Sequence, residues 1–169
     1  MASTVLYAKR VDAIRKKLAE VIEALHIRPD GRYLDGTFGR GGHAREVLAR
    51  LGSEGRLLLM DRDPEAIAQA KETFGKDARV RIRHGSFAEL ADWPETAQGL
   101  DGVLFDLGVS SPQLDDARRG FSFQAQGPLD MRMDPTRGSP ASAIVNRLSE
   151  KELAQALLDY GDETDAPQI

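Results

Sequence analysis

The sequence predicts an α/β fold organised around a parallel sheet, and three observations predict it. Short apolar runs alternate along the first hundred residues with stretches whose apolar positions recur every three or four residues, the order of strands and crossover helices. The run Leu57 to Met60 is apolar without interruption, as a strand covered on both faces requires. A glycine-rich turn, "LDGTFGRGGH" from Leu34 to His43, follows the first short strand directly, a tight strand-to-helix connection at the start of the sheet.

Each element has its own cause. Val11, Ile14, Leu18, Val21, Ile22 and Leu25 fall on one helical face, so an amphipathic helix is expected, stopping near Pro29-Asp30-Gly31. Arg32 to Thr37 then forms a strand entering the glycine turn, and Gly42 to Leu51 a helix leaving it. Arg56 to Asp61, "RLLLMD", is the second strand. Pro64 to Phe74 is a helix with Asp63 as N-cap and proline at its first position, where a missing N–H costs nothing. Arg79 to Arg83 alternates Val80 and Ile82 with arginines as a third strand, and after a short helix Leu100 to Asp106 makes the fourth. Strand chirality makes the crossovers right-handed. Beyond this the texture changes: residues 108–140 hold four prolines and little periodicity, too long for an ordinary connector and therefore a functional loop or an inserted segment. A last helix from Ser149 to Tyr160 opens on a capping box, Ser149 with Glu152. The domain division is expected between 1–108 and 109–169.

Composition bounds the function. With 169 residues, 41% of them hydrophobic and 30% charged, the chain can bury a core, which excludes a disordered class. No apolar run approaches a membrane span and the N-terminus has no apolar signal core, so a cytoplasmic protein without a membrane partner is expected. The absence of cysteine excludes disulfides, a thiol nucleophile and a cysteine zinc site, and no metal is expected. A net charge of −4 argues against a broadly basic surface while leaving room for a local basic patch.

A glycine-rich turn between a strand and its helix lets a ligand approach backbone N–H groups and a positive helix end. Gly36, Gly39, Gly41 and Gly42 depart from the dinucleotide spacing G-x-G-x-x-G, because the first gap is two residues, so a nicotinamide cofactor takes second place. Asp61 and Asp63 close the second strand at the distance where a carboxylate reaches ribose hydroxyls, and a nucleoside is implied. The alternatives are a tight turn without ligand and, for Asp63, an N-cap alone. The fourth strand leads into "FDLGVSSPQL", which sets Asp106, Ser110, Ser111, Pro112 and Gln113 at the carboxyl edge, where open α/β sheets bind ligands. This stretch resembles in part the Asp/Asn/Ser-Pro-Pro-aromatic loop of methyltransferases acting on exocyclic amines; here the run is Ser-Ser-Pro-Gln and the aromatic is missing.

Four segments, "DGTFGRGGH", "DRDPEAI", "FDLGVSSPQLDDARRGFSF" and "GPLDMRMDP", resemble in order and spacing the bacterial small-subunit ribosomal RNA methyltransferase H family, over roughly residues 19–160. The resemblance implies the first four strands of a Rossmann-like class I methyltransferase sheet, followed by the start of an inserted helical domain. It implies S-adenosylmethionine as cofactor and the N4 amine of a cytosine in the decoding centre of 16S rRNA as substrate, on the RNA or the assembled 30S subunit. Carried across residue by residue, the cofactor site comprises Gly41, Gly42 and His43 in the first turn, Asp61, Phe87, Asp106 and Gln113. Phe87 would lie against adenine, or be ordinary core packing. His43 would meet the methionine carboxylate, or only cap its helix. Asp35 would meet the methionine ammonium, or only bond the loop's backbone.

The implied reaction moves a methyl group from a sulfonium to an amine whose lone pair is delocalised into the ring. Alignment and an acceptor for the amine N–H therefore matter more than a strong base. Asp106, Ser110 and Ser111 are the catalytic candidates, and the target base must be extruded from its stack. Arg118, Arg119 and Arg132 are candidate RNA contacts, although residues 115–137 hold four arginines and four aspartates and internal ion pairs are the alternative. Phe121 and Phe123 either stack on a base or anchor the loop.

Two departures from the family stand out. Residues up to Lys17 lack its histidine-containing entry segment, and the chain stops at Ile169, just after "LLDYGDE", where family members continue through the remaining strands of a seven-stranded sheet. The fourth strand would then be an open edge. The expectations are a truncated form, a fragment, or a sheet completed by a partner, whether in a homodimer or with another chain. The alternative to the enzyme is a catalytically impaired remnant that binds the cofactor or a partner without turnover.

Overall fold

The computed structural model describes residues 16–168, so Val11 and Ile14 of the expected first helix lie outside the described residues. The chain divides into two compact units, Met1–Gly108 and Val109–Ile169. In the first, a helix runs through residues 16–24 (α1). It is followed by β1 (Arg32–Asp35), α2 (Gly42–Arg50), β2 (Arg56–Asp61), α3 (Pro64–Phe74) and β3 (Val80–His84). Two short 3-10 helices, Phe87–Asp92 and Pro94–Thr96, then lead to β4 (Gly102–Leu104). The sheet order is β3-β2-β1-β4 and every pair is parallel, with Leu34 opposite both Leu58 and Val103.

Alternation along the strands makes two cores, one on each side of the sheet. Tyr33, Leu57, Leu59 and Val80 face Ile22 of α1, Ala44, Val47 and Leu48 of α2, and Ala70 and Phe74 of α3. Leu34, Leu58 and Met60 face Trp93, with Leu90 and Leu100 packed against them from the β3–β4 connection. The uninterrupted run in β2 is thus explained by burial on both sides. Each such fully buried leucine contributes about 2 kcal/mol. Asp63 caps α3 as expected, its carboxylate accepting from the Glu65 N–H at 3.0 Å.

Strand boundaries differ from expectation, for local reasons. β1 ends at Asp35 instead of Thr37 because the Asp35 carboxylate accepts the Thr37 N–H at 3.1 Å and turns the chain. β3 starts one residue late: Asp77 holds both the backbone N–H and the guanidinium of Arg79 in the preceding turn. β4 shrinks to three residues, since among the described residues it pairs on one side only; Val103 within it and Phe105 just after it are each 43% exposed.

Gly41 is the N-cap of α2 at φ 73°, and a Cβ there would come within 2.7 Å of the Phe38 ring. Gly41→Ala combines a left-handed backbone with overpacking and is expected to lower stability by about 2–4 kcal/mol. A urea unfolding midpoint that stayed within error of the parent would refute this account of the turn.

The second unit contains α4 (Ser111–Asp115), a 3-10 turn Ala117–Arg119, an irregular run, α5 (Ala141–Arg147), α6 (Glu150–Gly161) and a final 3-10 turn Ala166–Gln168. The capping box of α6 is present, with the Ser149 N–H donating to Glu152 Oε2 at 2.9 Å and the Glu152 N–H to Ser149 Oγ at 3.4 Å. α5 was not anticipated; its start follows Pro140, the last proline of the stretch read as irregular.

Arginines tie the irregular run together. Arg119 is 8% exposed and donates through Nη2 to the carbonyls of Arg132 and Met133 at 3.3 and 2.9 Å. Arg119→Met strands those acceptors and is expected to destabilise this unit by about 1–3 kcal/mol, whereas Arg118→Gln, at an exposed pair, stays within about 0.5 kcal/mol. Limited proteolysis checks this: cleavage within residues 115–138 should accelerate for the first variant only.

Candidate functional site

The carboxyl ends of β1, β2 and β4 converge on the glycine turn. Asp35 ends β1, 2% exposed. Its Oδ1 accepts from Thr37, while Oδ2 is buried with no hydrogen-bond partner among the described residues. Burial, with the carboxylates of Asp61 and Asp106 near by, pushes the Asp35 carboxyl up to about 7, against the opposing hydrogen bond from Thr37. A buried acid lacking a partner is costly in either charge state, and a donor or cation beside it would relieve that cost.

Asp61 closes β2 and braces the turn. Its Oδ2 accepts the Gly39 N–H at 2.8 Å and its Oδ1 the Asp63 N–H at 2.9 Å. Burial holds this carboxyl above its ordinary value, opposed by those bonds. A carboxylate offers about four lone-pair positions, so capacity remains beyond the bonds to the turn.

The glycines divide by cause. A Cβ on Gly36 would strike the Phe105 ring at 2.4 Å, and Gly41 is required by its backbone and by Phe38. Gly42 has nothing within 4 Å of its missing Cβ, and at Gly39 the nearest atom is the Thr37 carbonyl at 3.8 Å. Gly39 answers to its left-handed backbone at φ 54°, Gly36 and Gly41 to internal packing, and Gly42 alone leaves open space beside the turn. The Gly41 N–H is already given to the Phe38 carbonyl at 2.8 Å, which leaves the first N–H groups of α2, beginning at Gly42, as the anion-seeking end of the turn.

His43 is half-buried inside α2 and makes no side-chain cap, since Gly41 occupies that position. It lines a cavity of about 530 Å³ with Gly42, Leu104, Phe105, Asp106 and the α1 residues Lys17 and Val21. Phe87 is 39% exposed, so the core-packing alternative does not hold. Its ring meets Phe105, centroid to centroid, at 5.0 Å. Asp106 is exposed, its N–H donating to Thr37 Oγ1 at 2.6 Å. The structure thus brings Asp35, Gly42, His43, Asp61, Phe87 and Asp106 to one edge of the first unit. Phe105 and the α1 residues were missed: Phe105 read as strand core, and α1 as a helix without a site.

Other predicted residues belong to the second unit. Ser110 is the N-cap of α4, its N–H donating to Gln113 Oε1 at 2.9 Å; Gln113 is buried and Ser111 exposed. Arg118 and Arg132 form two-point pairs with Asp116 and Asp130, each with one contact at 2.7 Å, and push both aspartates down to about 2. The internal-pair alternative thus describes these arginines, and Arg119 is turned inward. Phe123 is fully exposed and anchors nothing. Among the described residues no cluster of side chains could hold a metal ion, and no helix is long and apolar enough to cross a membrane.

Parallel pairing and strand order give a Rossmann-like sheet, and its family match makes it that of a class I methyltransferase, whose methyl donor is S-adenosylmethionine. Within that class the chain belongs to the MraW methylase family, whose model matches residues 15–169. A Stenotrophomonas maltophilia (strain K279a) protein named ribosomal RNA small subunit methyltransferase H is 62% identical over 150 residues, covering 89% of this chain and 47% of that one. A protein of the same name from Xylella fastidiosa (strain M12) is 59% identical, covering 89% and 48%. The chain spans about half the length of these curated relatives. A solved structure provisionally described as an rRNA-methylase from Clostridium thermocellum shares the fold, with TM-score 0.50, 18% identity and coverage of 55% of this chain and 52% of that one.

The residues fit S-adenosylmethionine on three points. Asp35 Oδ2 lacks a donor, Asp61 keeps acceptor capacity beyond the bonds to the turn, and the space beyond Gly42 is open.

Proposed function

We propose that this chain carries the cofactor-binding part of an enzyme that methylates the N4 amine of a cytosine in the decoding centre of 16S rRNA, with the RNA or the 30S subunit as its partner. The observation that carries the reading is the buried, unpartnered Asp35 oxygen beside a glycine turn already braced by Asp61. The names and 57–62% identities of the curated relatives support the RNA substrate.

Bound S-adenosylmethionine supplies an electrophilic methyl group. Asp61 accepts from its ribose hydroxyls while holding the turn through Gly39. Phe87, steadied by Phe105, offers a ring face to adenine. Asp35 takes the methionine ammonium, which relieves its buried oxygen. The first N–H groups of α2, from Gly42, face the methionine carboxylate together with His43, while Gly41 shapes the turn as the N-cap. Asp106 faces the cavity beyond His43, where it can accept an N–H of the incoming amine. Ser110 and Ser111, as carbonyl or hydroxyl acceptors, are the other candidates for that proton, and Gln113 sets the turn that holds them. Of the arginines, Arg118 keeps an exposed position for an RNA phosphate, whereas the guanidinium of Arg132 is engaged by Asp130 and the Gly138 carbonyl.

Transfer of tritiated methyl groups from S-adenosylmethionine to small subunits isolated without this modification tests the reading. Label in a 16S cytosine is the expected result. Failure of the chain to bind S-adenosylmethionine in a calorimetric titration overturns it. The alternative is cofactor binding without turnover, and that pair of measurements separates the two.

A further inference from the structure

Away from the carboxyl edge, the amino ends of three neighbouring strands bring three arginines to one face of the sheet. Arg32 of β1 lies opposite Arg56 of β2, and Arg81 of β3 lies opposite Leu58, on the same face as Arg56. With Leu58, Glu95 and Gln98 they line a cavity of about 310 Å³. Along β1 it lies about 10 Å from Asp35, at the other end of the strand.

Guanidinium groups stay charged in proteins, and the single carboxylate in the lining, Glu95, leaves two of the three positive charges without a counter-charge. Elsewhere the chain supplies it internally: Arg28 pairs with Asp101 at 2.8 Å and Arg79 with Asp77 at 2.7 Å. Among the described residues, Arg32, Arg56 and Arg81 form no ion pair. Their hydrogen bonds go to main-chain carbonyls instead. Arg32 donates to Gly99 and Glu95, Arg56 Nη1 to Ser53 and Gly55, and Arg81 Nη1 to Ala78 and Val80. These bonds orient the groups without neutralising them. They also leave the Nε–Nη2 edges of Arg56 and Arg81 open, the edges that grip an oxyanion through two parallel bonds.

We propose that this cavity is a phosphodiester-binding site that grips the backbone of the RNA substrate outside the cofactor site. The proposal rests on the RNA reading given above. The three arginines stand on three successive strands, each about 4.8 Å from the next, around one cavity, and a folded RNA offers tetrahedral oxyanions well beyond the base it presents for methylation.

The full chain carrying Arg56→Gln and Arg81→Gln together is titrated with a labelled single-stranded RNA of about 20 nucleotides over a range of salt, with inorganic phosphate and polyglutamate as parallel probes. Arg32 is left in place because it braces the 95–99 turn. The expected result is a roughly tenfold loss of RNA affinity and a salt slope shallower by about 1.4, with S-adenosylmethionine binding unchanged. Glu95→Lys, which adds a cation at the lining, should tighten RNA binding. An unchanged affinity and slope in the double variant overturns the proposal. So does a loss confined to polyglutamate, which would mark an acidic protein partner, or one confined to inorganic phosphate, which would mark a small-anion site. Were the wild-type chain unable to bind S-adenosylmethionine, the enzymatic reading would fall whatever the salt slopes showed.

Discussion

Asp35→Asn is expected to stabilise the chain at pH 8 by on the order of 4 kcal/mol and, at the same time, to weaken its hold on S-adenosylmethionine. The stability follows from linkage: the folded-state value near 7 stands about 3 units above the ordinary 3.8, and each unit corresponds to about 1.4 kcal/mol. Below pH 3.8 both states are protonated and no penalty exists. Between 3.8 and 7 the unfolded chain releases the proton first, so stability falls as pH rises. Above 7 both states are ionised and the penalty is constant. Urea unfolding from pH 4 to pH 8 should show that decline in the wild type and a flatter profile in the variant. Binding runs the opposite way. A cationic ligand needs the carboxylate, so wild-type affinity should rise about tenfold per unit up to pH 7 and then level off, and Asn removes that slope. A wild-type stability that rose steadily from pH 4 to 7 would rule out a buried, raised Asp35.

Asp61→Ala should reduce S-adenosylmethionine affinity by about 30- to 100-fold, equivalent to roughly 2–3 kcal/mol. Two losses combine: the acceptors for the ribose hydroxyls, and the tether on the Gly39 N–H that holds the turn in its binding shape. Asp61→Asn keeps one carbonyl acceptor and should lose only about tenfold. Titration calorimetry on the folded variants reads both numbers. An affinity for the alanine variant within twofold of wild type would remove Asp61 from the cofactor site.

Much of the fold was legible in the chain because its signals are local. The apolar run of β2, the Asp63-Pro64 start of α3 and the Ser149-Glu152 box of α6 each depend on residues within one or two turns, and each forms as read. Less legible were features set by neighbours distant in sequence. The glycine at position 36 answers to Phe105, nearly seventy residues away, and could not be told from a ligand-facing glycine by spacing. The choice between RNA contacts and internal pairs for the loop arginines stayed open in the sequence, because a sequence shows charge but not the aspartate that stands beside it.

By itself the sequence determined the parallel α/β plan, the glycine turn and the acids at the strand ends, since periodicity and capping act over a few residues. Only the tertiary structure decided that one of those acids is buried without a partner and that three arginines face one cavity unpaired. Ionisation and counter-charge depend on what packs around a group in space, and strands far apart in the chain supply it.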